Sequence, residues 1–408
     1  MPTAWLELPE DTPFGLNNLP YGVYTTPQDP ETACVGVRVG DHILDTAACA
    51  QALGDPNADI LDHPTLNPFL AAGRPTWQAV RRSVTTWLTD TALRPAVEPH
   101  LVPVEDATMH LPFEVADYVD FYSSEHHATN VGKMFRPDAE ALTPNWKHMP
   151  IGYHGRAGTV VVSGTPVIRP AGQRMDGDDP SPVFGPSRRL DIEAEVGFVV
   201  GTPTRTGERV PLPALADHVF GVCLLNDWSA RDIQAWEYRP LGPFLGKSFA
   251  TSVSPWIVPL DALATARVSP PPRDPALLPY LDDSKEEPWG LDIRLTVGLN
   301  GYTVSEPPFS GMYYTAAQQL AHMTVNGASL RTGDLFASGT VSGPEREQRG
   351  CFLELTWAGR EPVALPDGNQ RTFLEDGDEV AISAWAPGPD GGRIGFGEVT
   401  GRVLPATL

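Results

Sequence analysis

A chain of 408 residues is too long for one small core and calls for at least two units, large enough to need no disulfide or metal staple. Hydrophobic residues make up 41% and charged residues 20%, an ordinary globular balance, and no stretch approaches the ~18 apolar residues of a membrane span. The formal net charge of -22, with no basic run to offset it, argues against nucleic acid and requires local Arg and Lys to meet any anionic ligand.

The 43 Pro and 38 Gly follow no repeat and read as many tight turns between short strands, hence a mainly β fold of the α+β kind. Cys34, Cys49, Cys223 and Cys351 lack metal-ligand or disulfide spacing and read as reduced core thiols. The start, Met1-Pro2-Thr3-Ala4-Trp5-Leu6-Glu7, has neither a basic n-region nor an apolar h-region, so the expected compartment is the cytoplasm.

In residues 33–45 alternating valines enter a Gly40-Asp41 turn and Ile43 and Leu44 leave it, which predicts a hairpin. Trp77, Val80, Val84, Trp87 and Leu88 recur at helical spacing and predict a helix from Thr76. Residues 93–112, rich in Pro and acidic side chains, read as the linker region closing a small N-terminal β domain, residues 1–112. A large mixed-β domain with few helices, residues 113–408, follows.

Asp120 stands in a polar and aromatic stretch just past that boundary. Residues 159–164 and 221–226 are β-branched or continuously apolar and predict strands. In residues 190–198, Leu190, Ile192, Ala194, Val196 and Phe198 alternate with Asp191, Glu193 and Glu195, so a strand puts the carboxylates on the opposite face. Alone, that pattern more often marks a solvated edge strand. Asp227 adds weight, because an apolar strand delivers it to a polar end. If Asp120, Glu193, Glu195 and Asp227 converge, each close pair at ~4 Å repels by about 4 kcal/mol at an effective dielectric of about 20, which a divalent cation relieves. All-oxygen ligation selects a hard cation, Mg2+ or Ca2+. Residues 291–299 alternate like a half-buried strand, and a helix is predicted over 312–325, stopped by Asn326-Gly327. Glu354 is predicted to project from a strand, opposite Cys351, Leu353 and Leu355.

Several runs together carry a resemblance: NLPYGV at 18–23, DFYSSEHHATNVG at 120–132, PIGYHGR at 150–156, NDWSARDIQ at 226–234, LGPFLGKSF at 241–249, SGTVSG at 338–343 and RIGFG at 393–397. In order and nearly end to end, they resemble the fumarylacetoacetase family. The resemblance implies a small N-terminal β-barrel ahead of a β-roll catalytic domain, a homodimer, and metal ligation by Asp120, Glu193, Glu195 and Asp227, approached by Lys247 and Thr251. It implies His127 as the base that activates water, oriented by Glu354; the alternation of an extended segment would turn the neighbouring His126 the other way. Arg231, Gln234 and Lys247 are the implied oxyanion stabilisers. Tyr122, Arg136, Tyr153, Gln234, Tyr238, Gly339 and Thr340 are the implied substrate contacts, with Arg136 as the cationic clamp. Ala250 departs from the glycine common in the family, a change that matters most if the backbone there is left-handed.

The implied reaction is hydrolysis of an anionic β-diketone, 4-fumarylacetoacetate, to fumarate and acetoacetate, the last step of tyrosine and phenylalanine breakdown. The alternatives are an acylpyruvate hydrolase or oxaloacetate-type decarboxylase on the same scaffold, and a metal-binding β protein without chemistry. A decarboxylase needs the metal but no base aimed at water, so His127 with Glu354 favours hydrolysis.

Overall fold

The computed structural model describes residues 4–177 and 181–407, so Met1, Pro2 and Thr3 of the N-terminal reading lie outside the described residues. The first sheet joins β1 (Tyr21–Thr26), β2 (Asp29–Val39), β3 (His42–Asp45), β4 (Leu101–Pro103) and β5 (Thr108–His110) in the order β4-β3-β2-β1-β5. The expected hairpin is β2 and β3, with Val39 opposite His42 and Gly40 at a positive φ of 56° in the turn. Helix α1 (Arg74–Thr89) begins two residues before the predicted start, with a proline in its first turn, and buries the five predicted apolar residues.

The linker reading of residues 93–112 is corrected. Those residues carry β4 and β5, which pair with β3 and β1, while Pro95 and Pro99 sit in short helical turns before them. Polar composition alone could not separate a loop-rich sheet edge from a tether. No pairing joins β4 to β5 among the described residues, so the sheet as described is open.

A second sheet organises the rest. It contains β6 (Tyr118–Phe121), β7 (Gly152–His154), β8 (Val160–Val162), β9 (Ala194–Val200), β10 (Val219–Asp227), β11 (Thr251–Val253), β12 (Val258–Pro259) and β13 (Leu335–Ala337). The order is β7-β6-β13-β9-β10-β11-β8, with β12 also paired to β10. Both faces are buried. Val196, Phe198, Val222 and Leu224 point into the larger core. Val199, Cys223, Leu225, Leu335 and Ala337 point into a core shared with Tyr21, Val37, Phe69, Trp77 and Trp87 of the N-terminal unit. The Phe220 ring meets Tyr21, Phe69 and Trp77 at centroid distances of 5.4, 5.5 and 5.3 Å. Burial on both faces explains why residues 219–225 are continuously apolar and not alternating.

Four helices frame the site: α2 (Glu125–Phe135), α3 (Arg231–Glu237), α4 (Ala316–Thr324) and α5 (Phe352–Leu355). Helix α4 is the one predicted over 312–325, shortened because Thr315 and Gln318 form a capping box at its start. Two strand readings change. Residues 190–198 break into Leu190–Asp191, paired with Ser229–Ala230, and β9 from Ala194. Residues 352–355 are helical, so Glu354 projects from α5 and not from a strand. His127 likewise sits on α2 and not on an extended segment. Among the described residues, no helix is long and apolar enough to cross a membrane.

Candidate active site

The alternation of the central sheet assembles the carboxylates. Val119 and Phe121 face the larger core and Tyr118 the other, so Asp120 lies on the face that Leu225 and Leu335 share. Glu195 and Asp227 lie on that same face, at the neighbouring ends of β9 and β10, and Glu193 sits in the break before β9. Oxygens of Asp120, Glu193, Glu195 and Asp227 come within 4.8 Å of one another, and all four residues are buried. The solvated-edge alternative is excluded.

Two cations enter this cluster from the chain. Lys247 Nζ donates to Glu193 Oε2 and, at 2.8 Å, to Asp227 Oδ2. Arg231 donates through Nη1 to Glu193 Oε1 at 2.7 Å and through Nε to Asp191 Oδ2 at 2.8 Å. Tyr153 donates its hydroxyl to Asp227 Oδ2 at 3.0 Å, Thr251 Oγ1 lies 3.4 Å from Asp227 Oδ1, and the Gly339 N–H donates to Glu195 Oε2 at 3.1 Å. Burial opposes charge on Glu193, but Lys247 and Arg231 hold its carboxyl well below the usual range. Burial and the neighbouring carboxylates push Asp120 and Glu195 well above theirs. Asp120 Oδ1 and Glu195 Oε1 have no hydrogen-bond partner although buried. Four buried carboxylates, two with unpartnered oxygens, fit a hard divalent cation.

Beside the cluster stands an imidazole. Ser124 caps α2 by accepting from the His127 N–H, which fixes His127 in the first turn. The ring's Nδ1 lies 2.6 Å from Glu354 Oε2, and its Nε2 faces the cluster, 4.0 Å from Glu193 Oε1. Glu354 also accepts from Asn130 Nδ2 at 2.9 Å and Ser342 Oγ at 2.7 Å. Burial opposes its ionisation, but the His127 interaction and these donors outweigh it and hold the carboxyl at about 2.

The remaining expected contacts divide. Gln234 Oε1 accepts from Arg231 Nη1 at 3.2 Å, and the Tyr122 ring meets the His127 ring edge-on at 5.3 Å. Arg231 Nη2 and Thr340 Oγ1 are buried polar groups without a partner. A cleft of about 230 Å3, lined by Tyr153, Arg156, Phe244 and others, reaches Asp227 and Lys247. Tyr238 lies farther out, its ring 6.2 Å from Phe135, and the Arg136 guanidinium donates to the Ala141 carbonyl at 2.7 Å. No contact joins either residue to the carboxylates. Ala250 is buried and is not among the residues with positive φ, so the methyl that replaces the family glycine is accommodated.

Sequence reasoning passed over four supports. Asp191 holds Arg231 and also accepts the Phe352 and Leu353 N–H groups at 2.7 and 2.9 Å, tying Arg231 to the start of α5. The Glu237 carboxylate accepts the N–H groups of Phe244, Leu245 and Gly246, which fixes the turn delivering Lys247. Asn130 and Ser342 hold Glu354. Asn130 carried a signal, since it follows His127 by three residues in what proved to be a helix.

Gly339 has a φ of 78°, and a Cβ there would lie 2.2 Å from the Phe121 carbonyl oxygen. Gly339→Ala is expected to destabilise the protein by at least about 2 kcal/mol through backbone strain and overpacking. Gly158→Ala, which meets nothing within 4 Å, is the neutral control. Denaturant unfolding checks both, and equal midpoints would refute the strain argument.

Comparisons with known proteins identify the family. Residues 17–112 match the family description "Fumarylacetoacetase N-terminal" and residues 117–404 "Fumarylacetoacetate (FAA) hydrolase C-terminal". The chain is 48% identical to the Homo sapiens fumarylacetoacetase over 99% of each chain. Among solved structures it resembles a fumarylacetoacetate hydrolase from Exiguobacterium antarcticum (TM-score 0.55, 16% identity, 95% of this chain and 99% of the other). It also resembles the maleylpyruvate hydrolase of Sphingobium sp. SYK-6 in complex with manganese and pyruvate (TM-score 0.52, 16% identity, 95% and 100%). With the family matched across both halves, this chain belongs to the fumarylacetoacetases.

Proposed function

We propose that the chain hydrolyses 4-fumarylacetoacetate to fumarate and acetoacetate, closing the breakdown of tyrosine and phenylalanine. The observation that carries this reading is the His127–Glu354 pair, whose free imidazole nitrogen faces the carboxylate cluster at 4.0 Å from Glu193. A decarboxylase has no use for that base. His127 Nδ1–H donates to Glu354, which leaves Nε2 to take a proton from water as the water attacks the carbonyl carbon. Arg231, Gln234 and Lys247 surround the developing oxyanion with donors. The carbon–carbon bond then breaks, its electron pair passes into the acetoacetate enolate, and the proton held at Nε2 returns to that carbon.

Asp120, Glu193, Glu195 and Asp227 would hold Mg2+ or Ca2+, beside Lys247 and Thr251, and such an ion supplies Lewis-acid polarisation of the diketone oxygens. A manganese complex of the Sphingobium relative supports a divalent ion in this fold. Tyr122, Arg136, Tyr153, Tyr238, Gly339 and Thr340 complete the substrate surface in this reading. The finer architecture belongs to it too: a barrel at 1–112, a β-roll catalytic domain at 113–408, a homodimer and a cytoplasmic location. The family matches, which end at 112 and resume at 117, support the boundary.

The test follows the ultraviolet band of the enolised substrate in Mg2+ and then in EDTA. Loss of the band only with the ion supports the reading. Turnover of an acylpyruvate or oxaloacetate in place of this substrate transfers the site to the alternative chemistry.

A second readout needs no substrate. Asp120 and Glu195 are pushed up in the folded chain, so their contribution to metal-free stability is full below the ordinary carboxylate range and falls as pH rises through their raised values. The gain in Tm on adding Mg2+ is therefore expected to grow as pH rises from the ordinary carboxylate range through those raised values. A gain independent of pH would argue against these carboxylates as ligands.

A further inference from the structure

We propose that His127, Cys351, Glu354 and Ser342 form a second cation site, suited to a thiophilic ion such as Zn2+, whose occupation switches the reaction off. One carboxylate oxygen organises it. Glu354 Oε2 has three donors at once: His127 Nδ1 at 2.6 Å, Ser342 Oγ at 2.7 Å and Cys351 Sγ at 3.2 Å. All four residues are buried, and ligand atoms of His127, Cys351 and Glu354 lie within 4.8 Å of one another.

The imidazole nitrogen, the thiol sulfur and the hydroxyl oxygen all meet that carboxylate oxygen, and the four atoms together are the mixed donor set of a four-coordinate Zn2+. With bonds of ~2.0–2.3 Å, ligands of such an ion stand roughly 3.3–3.8 Å apart, so the contacts of 2.6, 2.7 and 3.2 Å to Glu354 Oε2 have to lengthen by only about 1 Å or less. A thiolate and a carboxylate together neutralise the ion, which suits a pocket backed by Leu353, Phe373, Val131 and Met134. The carboxylate cluster, with oxygen ligands alone, selects the opposite kind of ion. Burial and the Glu354 charge push the Cys351 thiol up, so the group stays protonated and inert until a cation competes for it.

Binding has a simple proton balance. The cation replaces the thiol proton, which leaves to solvent. It also takes the lone pair of Nδ1, so the single proton of the neutral ring moves to Nε2. That nitrogen faces Glu193 at 4.0 Å, and once protonated it can accept nothing from water. The loss of activity rests on the reading of His127 as base, whereas the binding does not.

The experiment uses the Mg2+-saturated protein, with Co2+ as a spectroscopic probe and Zn2+ as inhibitor. The wild type is expected to develop a near-ultraviolet thiolate-to-cobalt charge-transfer band that saturates at one equivalent. Cys351→Ser and Cys351→Ala lack the band, and thermal unfolding shows that they are folded. Zn2+ inhibits the wild type despite excess Mg2+. Relative to each variant's own zinc-free rate, half-inhibition shifts upward on the order of 100-fold, since even groups behind a ligand are worth ~10–100-fold in metal affinity. A band that persists in both variants, or inhibition that Mg2+ relieves and the substitutions leave unchanged, overturns the site in favour of the carboxylate cluster. Cobalt bound to the thiol with activity intact overturns the switch and directs the error to the base assignment.

Discussion

Replacing His127 by alanine is expected to lower kcat by about 10³–10⁴-fold with KM changed far less, because the ring acts on the proton of water and not on substrate binding. Glu354→Gln is expected to fall in the same range. Its amide can donate to Nδ1, which would put the ring's proton on Nε2 and leave the wrong tautomer facing the site. Asn130→Ala removes one donor to a charged carboxylate, 2.9 Å from Glu354 Oε1, and is expected to cost about 10-fold or a little more. Steady-state rates for the three variants at saturating Mg2+ give the ordering. If His127→Ala keeps more than about a tenth of wild-type kcat, the base lies elsewhere and the hydrolytic reading loses its support.

The second large effect is on stability. Arg231 is buried between Asp191 at 2.8 Å and Glu193 at 2.7 Å, and both carboxylates are themselves buried. Burial works against its charge, but the two partners more than offset this and hold the guanidinium firmly protonated. Arg231→Leu leaves Asp191 without a cation and Glu193 with Lys247 alone, and the expected loss is about 3–5 kcal/mol in denaturant unfolding. The damage spreads, because Asp191 also accepts the Phe352 and Leu353 N–H groups that begin the helix carrying Glu354. Adding Asp191→Asn to Arg231→Leu removes one stranded charge and is expected to recover part of the loss. A double variant no more stable than the single one would show that the pair is not what holds this corner together.

Much of the site was legible in the sequence, and the reason is periodicity. Leu190, Ile192, Ala194, Val196 and Phe198 all enter one core, as their alternation required, and that alone turned Glu195 away from it. The helical spacing of Trp77, Val80, Val84, Trp87 and Leu88 was equally decisive for α1. Where the pattern was short, the local reading failed. Residues 351–357 alternate as a strand would, yet their backbone is helical from Phe352 because Asp191, 161 residues earlier, accepts the first two amides. Residues 93–112 looked like a tether because Pro and acidic residues mark loops wherever they occur, and only pairing with distant strands shows that they supply the two edges of a sheet.

By itself, the sequence determined the β-rich class, the apolar faces, the hairpin at Gly40, the family resemblance and the identities of the acidic and basic candidates. Tertiary structure decided which of them meet. Glu193 and Asp227 lie 34 residues apart and His127 and Glu354 lie 227 apart, so no local rule relates them. Register between β9 and β10, Ala194 opposite Asn226, brings the first pair together. Packing of α5 against α2 sets the 2.6 Å contact of the second. A sequence specifies the direction of each side chain through the two-residue and 3.6-residue periods of its own backbone. Distances between elements follow from how cores close over one another, and they exist only once the chain has folded.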